Sequence, residues 1–270
     1  MFKYIGIRGH RGAGKNTVSY LLGHAIEYFT KHQSWEGFES YWDEILPNIW
    51  TDDFLNSANL YNVYFESFAD TLKSMVHNLL NIPMNWMYDD FLKDNVWINM
   101  KDFSYIKRDD KLDPEPYPII TNKELFDRRY NEIDTEIRPK TFRDDLYISL
   151  RDFINYFGFT MQSFFGLNTW VKSLDRGQAD LEKFYASGNK VVYKIFTDVK
   201  YPSEVSYIKN NGGIIIKIVR LDNIKTDSDV SNELDFDSRI DYEVTNNMST
   251  LRETLCKIAE EIINHEYEDQ

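Results

Sequence analysis

Residues 9–17 read GHRGAGKNT. The phosphate-binding spacing G-x-x-x-x-G-K runs from Gly9 to Lys15, and Asn16 then stands where a Ser or Thr hydroxyl ordinarily meets Mg²⁺. Gly9, Gly12 and Gly14 permit backbone conformations that turn successive N–H groups toward a phosphate at the positive end of a following helix. Lys15 would then reach the β- and γ-phosphates as a point charge. A glycine-rich turn carrying a surface lysine is the alternative, and the flanking sequence bears on the choice. KYIGIR (3–8) predicts a short strand, and after the loop Val18, Leu21, Leu22, Ala25, Ile26 and Phe29 fall on one helical face. Strand, glycine loop and helix in that order form the context in which the motif carries weight.

Further along, strand and helix signals alternate, which predicts an α/β fold with a parallel sheet. LYNVYFES (60–67) reads as a strand, followed by a helix with Ala69, Leu72, Met75, Val76 and Leu79 on one face. Leu146, Leu150, Phe153, Ile154 and Phe157 make a third helical stripe, with Gly158 expected to stop it. VVYKIF (191–196) and GIIIKIVR (213–220) are rich in β-branched residues and predict strands, separated by a short helix with Pro202 in its first turn. IDYEVTN (240–246) predicts a last strand. The closing helix is expected to begin near Ser249, where Thr250 and Glu253 fit a capping box.

Two stretches break the alternation. Residues 31–57 are rich in Trp, Asp and Glu, and residues 83–140 hold the charged run KRDDKLDPEPYP. Both read as insertions on a single domain spanning 1–270, serving either as solvated decoration or as a substrate-covering or partner-binding part. The net charge of −13 argues against gripping duplex nucleic acid through the general surface, because that affinity comes from Lys and Arg neutralising phosphates. It leaves room for a mononucleotide, which needs only a few local cations. The single cysteine, Cys256, rules out an intrachain disulfide and fits a reducing cytoplasm. The start MFKYIGIRGH is not a signal peptide, and GIIIKIV is too short to span a bilayer, so no membrane association is expected. The five histidines lack metal-ligand spacing, and there is no cysteine cluster.

Four separated segments resemble the bacteriophage deoxynucleoside monophosphate kinases. The first is GHRGAGKNT, in which G-K-N-T is similar to the G-K-G-T or G-K-D-T of monophosphate kinases, with Asn16 in the variable place and Thr17 in the threonine place. The second is FADTLK (68–73), the third LRDFINYFG (150–158) followed by NTWVKSL (168–174), and the fourth TDVKYPSE (197–204) followed by GGIIIKIVR and IDYEVTNNMSTLRETL. The resemblance covers most of the chain outside the two insertions. It implies a P-loop kinase core that transfers the γ-phosphoryl group of ATP, with Mg²⁺, to a deoxynucleoside monophosphate (dNMP), in the host cell's cytoplasm if the chain is viral.

The same resemblance implies roles residue by residue. Gly9, Arg11, Gly12, Ala13, Gly14, Lys15, Asn16 and Thr17 would surround the ATP phosphates, joined by Arg220 at the end of GIIIKIV. Arg151 would hold the acceptor phosphate with its planar fork, unless it is only a surface cation. Asp198 closes the strand VVYKIF, the end at which α/β ligand sites lie, and could order Mg²⁺-bound water together with Thr17. Asp70, Lys73 and Trp170 would line the acceptor side; Asp70 and Lys73 also suit an ordinary helix start, and Trp170 an ordinary core. Lys200 stands where the family has Arg, keeping the charge but losing the bidentate geometry, with Glu204 as its anchor. Asp152 occupies a place where a second basic residue can occur. Residues 222–238 sit where a lid loop is expected, with Ser231 and Glu233 loosely fitting the pattern. Lys15, Arg151 and Asp198 are the expected catalytic set. Two other readings stay open: a different small-molecule kinase resembling dephospho-coenzyme A kinases, and a nucleotide-binding protein without catalysis. The sequence does not fix oligomeric state and allows a homodimer through its aromatic-rich parts.

Overall fold

In the computed structural model, the described residues are 1–10, 12–48, 60, 62–100, 103–107, 147–166, 168–174, 191–220 and 239–264. The chain divides into two units, Met1–Phe68 with Leu174–Gln270, and Ala69–Ser173.

The first unit is built on a five-stranded sheet. Its strands are β1 (Phe2–Arg8), β2 (Val63–Glu66), β6 (Val192–Phe196), β7 (Ile214–Val219) and β8 (Tyr242–Thr245), in spatial order β2-β6-β1-β7-β8. Every pairing is parallel, so both faces need covering. Strand alternation supplies two apolar faces. Ile5, Ile7, Tyr193, Ile195, Ile216 and Ile218 face one core, built with Val18, Leu21, Leu22 and Ala25 of α1 (Lys15–His32) and Leu251, Leu255 and Ile258 of α7 (Met248–Asn264). The other face carries Tyr4, Phe68 and Phe196, stacked in near-parallel pairs, with Tyr207 of α6 (Pro202–Asn210) edge-on to all three. Lys194 is buried on this face and forms an ion pair with Glu66, which meets the need of a buried ammonium for a partner.

The α2 helix (Phe38–Ile45) falls within the expected first insertion, yet its Phe38, Trp42 and Ile45 are buried in the main core. Spacing of i, i+4 and i+7 puts the three on one face, so this stretch is core rather than decoration. His24 of α1 meets Tyr41 of α2 at 2.6 Å (Nδ1 to Oη), and burial pushes the imidazole down to about 4, keeping it neutral. The closing helix starts one residue before the expected Ser249. Its first turn is tied by Asn247, whose Oδ1 accepts from Ser249 N and Ser249 Oγ, while Thr250 lies inside the helix.

The second unit contains α3 (Asp70–Leu80), α4 (Asp90–Asn95), α5 (Leu150–Phe165) and a small antiparallel sheet that the sequence pattern did not predict. Its strands are β3 (Val96–Asn99), β4 (Tyr105–Lys107) and β5 (Tyr147–Ser149), in order β4-β3-β5. Residues 147–149 are therefore strand, and the helix expected from 146 begins at Leu150, where Ser149 accepts from Asp152 N at 3.0 Å. Gly158 does not stop that helix. It lies against Leu72 of α3, whose Cδ2 would be 2.7 Å from an added Cβ, so the glycine is a packing residue.

Candidate functional site

In a parallel sheet, ligand sites lie beyond the carboxyl ends of the strands, near the place where connections diverge to opposite sides. Here β1 is central; the chain leaves it toward β2 on one side, while β7 and β8 lie on the other. Among the described residues, five segments leave this edge within the first unit: the glycine loop after β1, residues 67–68 after β2, residues 197–201 after β6, Arg220 after β7 and residues 246–247 after β8.

The glycine loop turns tightly into α1. Ala13 N donates to His10 O at 3.1 Å, and Gly14 caps the helix in the left-handed region (φ 87°) with no side-chain cap. The first turn of a helix cannot satisfy its N–H groups from within, so this end presents donors and partial positive charge. A side chain at Gly9 would bring its Cβ to 2.5 Å from Ile218 O, so the loop can leave β1 here only because Gly9 has none. Gly12 offers its carbonyl to Arg220 Nη1 at 3.3 Å, which ties an exposed guanidinium to the loop.

Lys15 folds back over the loop. Its Nζ donates to Gly9 O at 2.8 Å and His10 O at 3.0 Å, and lies 3.5 Å from Asp198 Oδ1. Asp198 is shared, because its Oδ2 is 2.9 Å from Lys200 Nζ. The carboxylate thus sits between two ammonium groups and holds the Lys200 ammonium above its ordinary lysine value. Thr17 is buried in the first turn of α1 and Asn16 is exposed. The variable position therefore faces solvent, and the threonine is the one held in the fold.

The 197–201 segment is fixed from both sides. Thr197 N donates to Glu66 O and Val199 N to Ile7 O, continuing the sheet past β6. Buried Glu204 reaches back from α6, its Oε2 accepting from Lys200 N at 2.6 Å and Tyr201 N at 3.0 Å. Burial nevertheless dominates and pushes the Glu204 carboxyl up to about 7. Glu204 anchors the segment that carries Asp198 and Lys200 through its backbone; Lys200's side chain is engaged by Asp198.

The remaining expected residues lie in the second unit. Asp70, in the first turn of α3, accepts from Tyr88 Oη at 2.9 Å and pairs with Lys73 at 3.4 Å, while Lys73 Nζ lies 4.0 Å from the Tyr88 ring centre. Arg151, at the start of α5, presents its fork to Asp94: Nε lies 2.5 Å from Oδ1 and Nη2 3.1 Å from Oδ2. This is the bidentate geometry with which a guanidinium holds a carboxylate or a phosphate. Trp170 lies in the helical residues 169–174 and is buried, which leaves little ring surface for a base to stack on. Arg11 and the expected lid at 222–238 lie outside the described residues.

The sequence reading missed Asn246, whose Nδ2 donates to Ala13 O at 2.9 Å and so reaches the loop from the far end of the chain. The sequence pattern put it at the carboxyl end of the expected strand 240–246, whereas the strand itself ends at Thr245. Among the described residues, no group of three or more His, Cys, Asp or Glu is placed to hold a metal, and no helix is long and apolar enough to cross a membrane. Burial pushes the Cys256 thiol up to about 12, so it is no thiolate nucleophile at neutral pH. No protein-family model matches the sequence, and no curated protein matches it.

Proposed function

We propose that the chain is an ATP-dependent nucleotide kinase with a P-loop kinase core, transferring the γ-phosphoryl group to a deoxynucleoside monophosphate. The observation that carries the donor half is Lys15. Its ammonium curls over a glycine loop at the N-terminus of α1, beside Asp198, at the carboxyl edge of the central strand. The acceptor half rests on the sequence resemblance in FADTLK, LRDFINYFG and TDVKYPSE.

The reaction is an in-line displacement. An oxygen of the acceptor's phosphate bonds to the γ-phosphorus as the bond from that phosphorus to the β,γ-bridging oxygen breaks, giving dNDP and ADP. The protein's share is positioning and charge neutralisation. Lys15 would exchange the carbonyls of Gly9 and His10 for β- and γ-phosphate oxygens, the first-turn N–H groups would bind the phosphates, and Arg220 would add charge from the end of β7. Mg²⁺ would arrive with ATP and lower the charge on the phosphates; Thr17 and Asp198 are the residues that would meet it, through water. Arg151 would exchange Asp94 for the acceptor phosphate.

The test is ADP release with ATP, Mg²⁺ and each dNMP in turn. Turnover with at least one dNMP is expected. Measurable ATP binding with no turnover on any of them would favour the second reading, nucleotide binding without transfer. That reading has one observation in its favour: the Arg151 fork is already engaged by Asp94. Turnover with a different small-molecule acceptor would instead favour the kinase related in kind to those acting on dephospho-coenzyme A.

A further inference from the structure

Asn246 contacts the glycine loop from 233 positions away in sequence, and the contact is closely fitted. Its own backbone is fixed, because Asn246 N donates to Val219 O at 2.7 Å and extends the β7–β8 pairing by one residue. Its carboxamide crosses to the loop and donates to Ala13 O at 2.9 Å. The fit leaves no slack: an added Cβ on Gly14 would lie 2.1 Å from Asn246 Nδ2. A trans peptide points its C=O and N–H in opposite directions. Holding Ala13 O toward Asn246 therefore aims the Gly14 N–H the other way, and the peptide plane cannot rotate without breaking that bond. We propose that Asn246 is a positioning residue of the glycine loop, its carboxamide locking the Ala13–Gly14 peptide so that the Gly14 N–H is preset as a donor to a nucleotide's phosphate chain.

The proposal rests on the phosphate-binding reading of the loop, and it differs from a simple tether in what it predicts. A tether needs only to hold the loop in place; presetting needs a donor at the 246 side chain. Asn246→Asp separates the two, because it keeps the size and place of the side chain while its ionised carboxylate repels Ala13 O. Stabilities of the variants are compared first by thermal melting. Binding of MgADP and of inorganic tripolyphosphate is then measured by titration calorimetry for wild type, Asn246→Asp and Asn246→Ala at about pH 8, far above the ordinary aspartate value of about 3.9. Each variant is compared with wild type at the same pH, which removes the titration of the ligand itself.

Asn246→Asp is expected to lose about tenfold or more in affinity for both ligands, and at least as much as Asn246→Ala. Asn246→Ala, which has no donor, is expected to lose affinity for both ligands as well. Wild-type affinity in Asn246→Asp overturns the proposal. A loss for MgADP without one for tripolyphosphate also overturns it, since it would assign Asn246 to the nucleoside. If the Asp variant does not fold, Asn246→Ala must still lose affinity for both ligands, and wild-type affinity in it overturns the proposal. If wild type binds neither ligand, the phosphate-binding reading fails before the proposal is reached; Lys15→Ala, measured alongside, should lose affinity when that reading holds.

Discussion

At the scale of single residues, the carboxyl edge of the first unit is a set of cations and backbone donors held by specific partners. Gly14 is constrained twice, by a left-handed φ of 87° and by the carboxamide of Asn246 against its α-carbon. Gly14→Ala should therefore destabilise the protein by about 1–2 kcal/mol from the backbone alone. It should also lower ATP affinity by about tenfold or more, because the displaced loop misaligns its donors; titration calorimetry checks this, and unchanged affinity would exclude the loop. Glu204 gives a pH signature. Its folded-state value is raised from 4.5 to about 7, so the folded protein binds more protons than the unfolded chain between those values. Stability from this group is present below about pH 4.5 and is lost as pH rises through about 7, by up to about 3 kcal/mol. Glu204→Gln, which keeps one acceptor oxygen, should flatten that part of the curve. Urea midpoints of both proteins across the window measure it, and parallel curves would contradict the assignment.

At the scale of elements, two helical glycines should respond differently to alanine. Gly23 of α1 packs on β2, where an added Cβ would lie 2.5 Å from Phe65 Cζ and 3.2 Å from Val63 Cγ1. A ring edge yields poorly, so Gly23→Ala should cost a net ~1–2 kcal/mol even after the helix-propensity gain. Gly158 of α5 meets only the end of Leu72, which can rotate, so Gly158→Ala should cost less than about 1 kcal/mol. Denaturant melts of the two variants test the order; a reversed order would mean that the α1–β2 contact is looser than it looks. The same glycine shows where element boundaries were legible. β1, α1, β6 and β7 were readable because continuous apolar or periodic runs are bracketed by turn residues. The Gly158 stop was misread because tertiary packing, not chain termination, uses that glycine. Strands β3, β4 and β5 have four, three and three residues, too short to show a period against a charged background. The α2 helix did carry a signal in Phe38, Trp42 and Ile45, which the acidic composition of its surroundings masked.

At the scale of the whole molecule, the −13 net charge contrasts with the cations gathered at one edge of the first unit: Lys15, Lys200 and Arg220. A parallel sheet explains the gathering, since it delivers every strand's carboxyl end to the same side. That is why Lys15 and Asp198, far apart in sequence, were both legible as site residues: each follows a recognisable strand. Asn246 was not, because a hydrogen bond across 233 positions leaves no local pattern. Most of the candidate donor site was therefore readable from motif and strand ends, and its clamp only from the fold. The acceptor side was readable only by resemblance, and the contacts that bear on it are those of Arg151 with Asp94 and of Asp70 with Lys73 and Tyr88. The decisive measurement is ADP release by wild type and Lys15→Ala side by side, with ATP, Mg²⁺ and the best dNMP, after matched thermal melts. A loss of about a hundredfold or more in the variant, with the melt unchanged, is the expected result. Near-normal turnover without Lys15 would contradict the glycine loop as the phosphoryl-donor site.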